Sequence, residues 1–427
     1  MIKRLLFFCL LILSGLTFLS AETKKSGVIV IQGATVVTVT GDPIPGGTIV
    51  IEGDRIAAVG KDIPVPAGAV VLDATGLFAY PGMIDAGCFL GLQEIRMVRA
   101  TVDSQETGRV NPQVSALEAL RPDSMHIPIS LSTGITAALV LPSGGLISGK
   151  CGLIKLTGWT TEEMTIKDPV AMVVQFPSMR GSRRPSDTPQ PPSRNLQDLQ
   201  EIFDQARYYG QAVSAAAADK ALPLPDFNET LQFMQPVVSG ELPVLFNVHS
   251  EKDILDCIDF VKKEKIKAVF MGVTLGWKAA DKIAEAGIPV ILGSMTDMPS
   301  SWDDGYDAVY RNPVLLHEAG VKIAFSSQSS SLAKDLPSMA GKAAAFGLDR
   351  SEALKAVTIN SAEILGVAES MGSLEKGKLA NIVLCDDDIL ELRTNIRHVF
   401  VEGVEADLST VYTELLNKWK KRHKKPE

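Results

Sequence analysis

Histidine is scarce in this chain, with only His126, His249, His317, His398 and His423 in 427 residues. So small a supply limits any centre built on imidazole, because zinc-like ions are held by histidine, cysteine and carboxylate side chains. Cysteine is equally thin. Beyond Cys9 there are Cys88, Cys151, Cys257 and Cys385, with no Cys-x-x-Cys pair and no zinc-site rhythm. Four cysteines over this length make no disulfide framework, and each reads as a small buried hydrophobe. After the first twenty residues no second long apolar run occurs, so no integral membrane domain is expected in the mature chain. A basic face is also missing. The formal net charge is −8 and the basic residues are scattered except near the C-terminal end, which excludes a nucleic-acid footprint.

What is present begins with Met1-Ile2-Lys3-Arg4, an apolar run from Leu5 to Leu19, and Ser20-Ala21-Glu22. That order matches the charged, apolar and small-residue regions of an export signal. Cleavage after Ala21 is expected, placing the protein in the periplasm or outside the cell. Leu19 is not the ideal small residue for the position it occupies, so an uncleaved anchor is the rival reading. A hydrophobic content of 46% supports a large folded core in the remainder of the chain.

Residues 27–79 read as short β-strands. Val28 to Gln32 and Thr35 to Thr40 are β-branched runs, Gly46-Gly47 is a turn, and Thr48 to Glu52 leads through Gly53-Asp54 into Arg55 to Val59. Tyr80 to Gly91 then reads as a turn feeding a buried strand. Apolar runs at Gly134 to Leu141, Gly152 to Leu156 and Val170 to Phe176 repeat the strand signal and favour a parallel sheet. Met179 to Ser193 carries Pro185, Pro189, Pro191 and Pro192, which excludes helix and central strand; it is an exposed insertion or a lid. From Pro243 the rhythm becomes regular, with strands at Val244, Ile266, Ile288 and Val321 alternating with helical segments. Roughly eight such units predict an α/β fold of the (β/α)8 barrel type rather than a doubly wound sheet.

Three regions carry a resemblance. Pro81-Gly82-Met83-Ile84-Asp85-Ala86-Gly87-Cys88-Phe89 is similar to the Pro-Gly-x-Ile-Asp-x-His-x-His segment of the metal-dependent amidohydrolase superfamily, in its imidazolonepropionase-like branch. Ala353 to Gly366 and Gly372 to Val383 resemble that family's C-terminal signature, with Asn381 where aspartate is usual. The Gly47 to Gly60 pattern resembles its N-terminal strands. The resemblance implies a TIM (β/α)8-like barrel over residues 80–374 and a small discontinuous β-sandwich from 26–79 and 375–427, after a signal peptide at 1–21. It also implies a hydrolase acting on carbon–nitrogen bonds, with a small-molecule amide or peptide-like ligand.

The family's metal ligands are largely replaced. Gly87 and Phe89 stand at the first histidine pair, Asn247 aligns with the fifth-strand ligand, Met271-Gly272 falls at the sixth, and Gln328 replaces the catalytic aspartate. Glutamine cannot act as a general base. No catalytic residue can therefore be named and no cofactor is expected. A divalent metal such as zinc enters only if the site persists in altered form, held by one histidine and carboxylates such as Asp85, Asp103 or Asp297. The candidate pocket is Cys88, Asn247, His249 and Gln328. His249 is a hydrogen-bonded residue at the barrel mouth or a single retained ligand; His126 and His317 read as surface or supporting groups.

Other motifs compete poorly with this pocket. Gly144 to Cys151 approaches a phosphate loop, but Cys151 stands where the magnesium-binding hydroxyl is needed. Ser329-Ser330-Ser331 with Lys334 lacks assignable oxyanion donors, and Cys88 lacks a nearby base in sequence. Two functions remain: an exported amidohydrolase-like hydrolase, or a non-catalytic binding or assembly module on that scaffold, with self-association left open.

Overall fold

A computed structural model describes residues 27–178, 193–299 and 303–423. The export segment Met1–Ala21, nearly all of the proline-rich stretch and Trp302 lie outside the described residues. Among the described residues sixteen strands form two eight-stranded sheets. The first combines β1 (Ile29–Val36), β2 (Ile44–Glu52), β3 (Arg55–Gly60), β4 (Val70–Asp73) and β5 (Phe78–Pro81) with β14 (Ile382–Cys385), β15 (Ile396–Val401) and β16 (Val404–Glu405). Its junction is the antiparallel pairing of β5 with β14, Tyr80 opposite Val383. Of the two β-branched runs expected near the start, β1 takes in the first from Ile29 and only Thr35 and Val36 of the second, with a register shift at Gly33. Gly33 has φ of +88° and a Cβ there would lie 2.6 Å from Thr75 Oγ1, so glycine suits both the turn of the backbone and the close approach. Gly46 and Gly47 lie inside β2 rather than forming a turn.

The second sheet is a nearly closed barrel, in the order β13 (Ile323–Phe325), β12 (Val290–Leu292), β11 (Ala268–Gly272), β10 (Val244–Val248), β9 (Thr165–Gln175), β8 (Ile147–Lys155), β7 (Ile135–Val140), β6 (Met83–Cys88). β6 and β7 are buried along their whole length, which explains their largely apolar composition, broken by Asp85 in β6 and Thr136 in β7. The expected parallel arrangement fails at β8, which runs antiparallel to both β7 and β9. The reason is the connection from Leu141 to Leu146, in which Gly144 and Gly145 both take positive φ. That link is a hairpin, far short of the dozen or more residues that a parallel crossover requires. Beyond β9 each strand is followed by helix, including Ser193–Ala218, Glu251–Glu264 and Ala308–Glu318. After β13 the helices Arg350–Ala356 and Ile359–Ile364 are separated where Thr358 leaves helical geometry and its hydroxyl donates to the Leu354 carbonyl at 2.6 Å.

Three apolar cores result among the described residues, and one of them packs on the first sheet with Ile31, Ile49, Ile382 and Phe400. The other two belong to the barrel. One fills the barrel lumen with Ile84, Ala86, Leu139, Leu245, Met271 and Ile291; the other lies between barrel and helices and includes Met83, Cys88, Phe246 and Phe270. β6 and β13 share no ladder, and the seam between them is joined otherwise. The Gln328 N–H donates to the Gly87 carbonyl at 2.9 Å, and the Ser327 N–H to Asp85 Oδ1 at 3.0 Å. Among the described residues no helix is long and apolar enough to cross a membrane.

Candidate functional site

The barrel mouth is where strand ends present side chains that the sheet itself does not need. Within β6, Asp85 is fully buried and accepts the N–H of Gly87 at 3.1 Å, the N–H of Ser327 at 3.0 Å and the hydroxyl of Ser327 at 2.5 Å. Burial nevertheless outweighs these donors and pushes its pKa from 3.8 up to about 7. Asp85 is thus a fastener of the barrel seam.

Two residues further on, the chain has no side chain at Gly87, and the space is already filled. A Cβ there would stand 2.6 Å from Met271 Cε, 3.0 Å from Leu141 Cδ1 and 3.3 Å from Ser326 Cβ. Phe89 packs partly buried against the same lumen core. Met271, in register with Asn247 and with Ile291, therefore reaches across the lumen and closes it with hydrocarbon. Among the described residues no three histidine, cysteine, aspartate or glutamate side chains come together as a metal site requires.

Of the four residues of the candidate pocket, the structure brings Asn247 and His249 together. Both flank Gly272, whose absent Cβ would meet His249 Cε1 at 2.5 Å and Asn247 Oδ1 at 3.0 Å. Gln328 lies one strand further round, against the end of β12, its Oε1 3.0 Å from where a Cβ at Gly293 would stand. Cys88 is placed elsewhere. The ladder between β6 and β7 is irregular between Asp85 and Cys88, and the Cys88 side chain lies in the core outside the lumen. Burial holds its thiol well above the usual range, the Asp85 carboxylate adding to the effect, so it is not a nucleophile.

The polar groups that remain line a pocket of about 270 Å³ at the ends of β9, β10 and β11. Asn247 Nδ2 donates to Gln175 Oε1 at 2.7 Å, while its buried Oδ1 has no hydrogen-bond partner among the described residues. His249 Nδ1 shares a hydrogen bond with Thr274 Oγ1 at 3.3 Å. Desolvation lowers the His249 pKa below 6.5, against the opposite pull of Asp253 and Asp297, so the ring is neutral at pH 7. Asp253, buried in the first turn of helix Glu251–Glu264, accepts the Ser178 hydroxyl at 2.9 Å. Phe176 supplies an apolar wall. Sequence reasoning misses Gln175, Ser178, Asp253 and Thr274. Parallel register places Gln175 beside Asn247, a relation that only strand order reveals.

The remaining histidines lie away from this pocket. His126, expected as a surface or supporting group, is buried, with Nε2 2.9 Å from the Glu94 carbonyl oxygen, because the polar excursion after β6 folds down over it. His317 is half-buried near the end of helix Ala308–Glu318, and His398 on β15 pairs with Glu405 at 2.6 Å. Neither contributes to the mouth.

Comparison with known proteins agrees with the architecture. The profile of the Amidohydrolase family matches residues 308–411. An amidohydrolase of Thermotoga maritima is similar in structure, with a TM-score of 0.81 and 25% identity over 89% of this chain and 99% of that one. The amidohydrolase tasK of Hapsidospora irregularis is 22% identical over 418 residues, covering 85% of this chain and 42% of its own. An adenine deaminase of Rubrobacter xylanophilus is 35% identical over 95 residues, 21% of this chain and 16% of that protein. The chain thus spans less than half the length of these two curated relatives.

Proposed function

We propose that this chain, which carries an amidohydrolase-family domain on the barrel of that superfamily, is an exported binding protein that captures a small amide or peptide-like ligand without metal-assisted hydrolysis. The observation that carries this reading is the filled lumen at Gly87. Amidohydrolases usually bind a divalent metal there, whose bound water attacks the substrate carbonyl. The side chains present do not fit such an ion. Gly87 and Phe89 offer no donor, Met271 occupies the space with a thioether and methyl group, and Gln328 cannot ionise. A hard or borderline cation needs imidazole or carboxylate at those positions.

What the mouth does offer is recognition. Asn247 Oδ1, the neutral His249 ring, Thr274 and the Asp253 carboxylate surround an apolar wall, a lining suited to hydrogen bonding rather than to generating hydroxide. Export rests on the Met1–Ala21 sequence alone.

The test is metal analysis of protein purified without chelator, before and after incubation with zinc and manganese. Well under one equivalent is expected in both samples. Stoichiometric, tightly held metal together with metal-dependent cleavage of an amide would overturn the proposal. It would favour the second reading, hydrolysis at a rearranged centre, for which the family profile over residues 308–411 is the supporting observation.

A further inference from the structure

The helix Val411–His423 stands apart from both sheets. Tyr412, Leu415, Leu416 and Trp419 recur at the spacing of one helical face, and they are 53%, 45%, 52% and 46% exposed. A helix of this length is marginal in water unless an apolar face is buried against something. Nothing among the described residues covers this one. Its charge is equally one-sided: Lys418, Lys420, Lys421 and Arg422 oppose Glu414 alone, a net of +3 on a chain of formal charge −8. Pairing two such helices with each other would set like charges side by side, so the surface that receives the helix is acidic.

The chain itself carries a surface of that description. A groove of about 370 Å³ runs beside helix Ser193–Ala218, lined by Asp204, Tyr208, Tyr209, Ala212, Pro225 and Leu231. Leu222, Leu224 and Phe227 stand exposed on the segment that borders it. Asp204, Asp219, Asp226 and Glu229 against Arg207 and Lys220 give this region a net of −2. The groove and the helix are therefore matched twice, in apolar character and in sign of charge.

We propose that helix Val411–His423 of one copy docks in the Asp204–Leu231 groove of a second copy, and that the two copies exchange these arms about a twofold axis. Twofold symmetry makes both junctions identical, so each copy gives an arm and receives one. Exposed apolar patches on both surfaces are removed from water in a single closed assembly. Opposite charge at the rims makes the association sensitive to salt.

Sedimentation equilibrium of the purified protein tests the assignment. A dimer is expected, weakened when salt is raised from about 50 mM to about 500 mM. The arm variant Leu415→Glu/Leu416→Glu and the groove variant Leu224→Glu/Phe227→Glu are each expected to be monomeric, with dissociation constants raised roughly a hundredfold or more by the lost apolar burial. All four positions are exposed, and an unchanged circular dichroism melt checks that folding is intact. An equimolar mixture of the two variants is expected to form a heterodimer with one working junction, weaker than the parent by at least about tenfold. A monomeric parent overturns the proposal. So does a groove variant that still dimerises, which would mean arm-to-arm pairing, or an arm variant that still does. Salt-sensitive binding of the parent to anionic phospholipid vesicles without any dimer would assign the helix to a membrane surface and overturn it equally.

Discussion

Asp85 tests how the barrel seam is held. Replacing it with alanine leaves the buried N–H groups of Gly87 and Ser327 without acceptors, while the Ser327 hydroxyl keeps the Ser329 carbonyl at 3.1 Å. Each orphaned donor costs about 1–3 kcal/mol, so Asp85→Ala loses about 2–6 kcal/mol, a large share of a typical stability. Asp85→Asn retains an oxygen acceptor for both N–H groups and differs mainly in charge. With a folded pKa of about 7 against 3.8 for the free group, the native state holds a proton between these values that the unfolded state has released. Stability therefore falls as pH rises through this window, by up to about 4 kcal/mol in all, and the slope vanishes above pH 7. The asparagine variant lacks this dependence. It should match the parent near pH 4 and equal or exceed it at pH 8. Urea unfolding followed by tryptophan fluorescence across that range measures the difference. A parent-minus-variant stability that is flat, or that grows with pH, would refute the account of a carboxyl raised by burial.

Three further outcomes are expected. Gly87→His should destabilise by about 1–3 kcal/mol through overpacking against Met271 and Leu141, and Met271→Ala in the same chain should recover part of the lost melting temperature; an unperturbed single variant would mean the lumen is not filled. NMR titration of His249 should give a midpoint below 6.5, since its ring is desolvated more than it is stabilised by Asp253 and Asp297, and a raised midpoint would contradict the neutral assignment. Arg207 pairs with the buried carboxylate of Glu264, which also accepts from Gln200 at 2.7 Å. Arg207→Ala should cost about 2–4 kcal/mol in chemical unfolding, more than removing both charges together in Arg207→Met/Glu264→Leu, because a lone buried carboxylate is the worse outcome.

Much of the architecture is legible in the sequence because it depends on local chemistry. Turn glycines such as Gly372 and Gly377 preceding the apolar run at Ile382, and strands as nearly apolar as Ile135–Val140, announce their roles without neighbours. The reversal of β8 is signalled by the shortness of Pro142-Ser143-Gly144-Gly145, yet the same residues read equally as a strand end opening outward. The site is harder. Whether Cys88 points to the lumen depends on the irregular pairing of β6, and the closing of the lumen by Met271 depends on which residue stands across the barrel. Neither is encoded in spacing along one segment. The loss of imidazole at Gly87 and Phe89 is visible directly; that hydrocarbon fills the place is not.

The first sheet has a consequence for the order in which the protein can form. β5 finds its partner β14 only after some three hundred intervening residues have been made, and β5 leads straight into β6. During synthesis the early strands wait with an unpaired edge, a state prone to wrong pairing and slow to resolve. Once β14 arrives, it locks both approaches to the barrel in one ladder. Neither approach can peel away separately, so the finished protein should resist proteases for longer than its equilibrium stability alone would suggest.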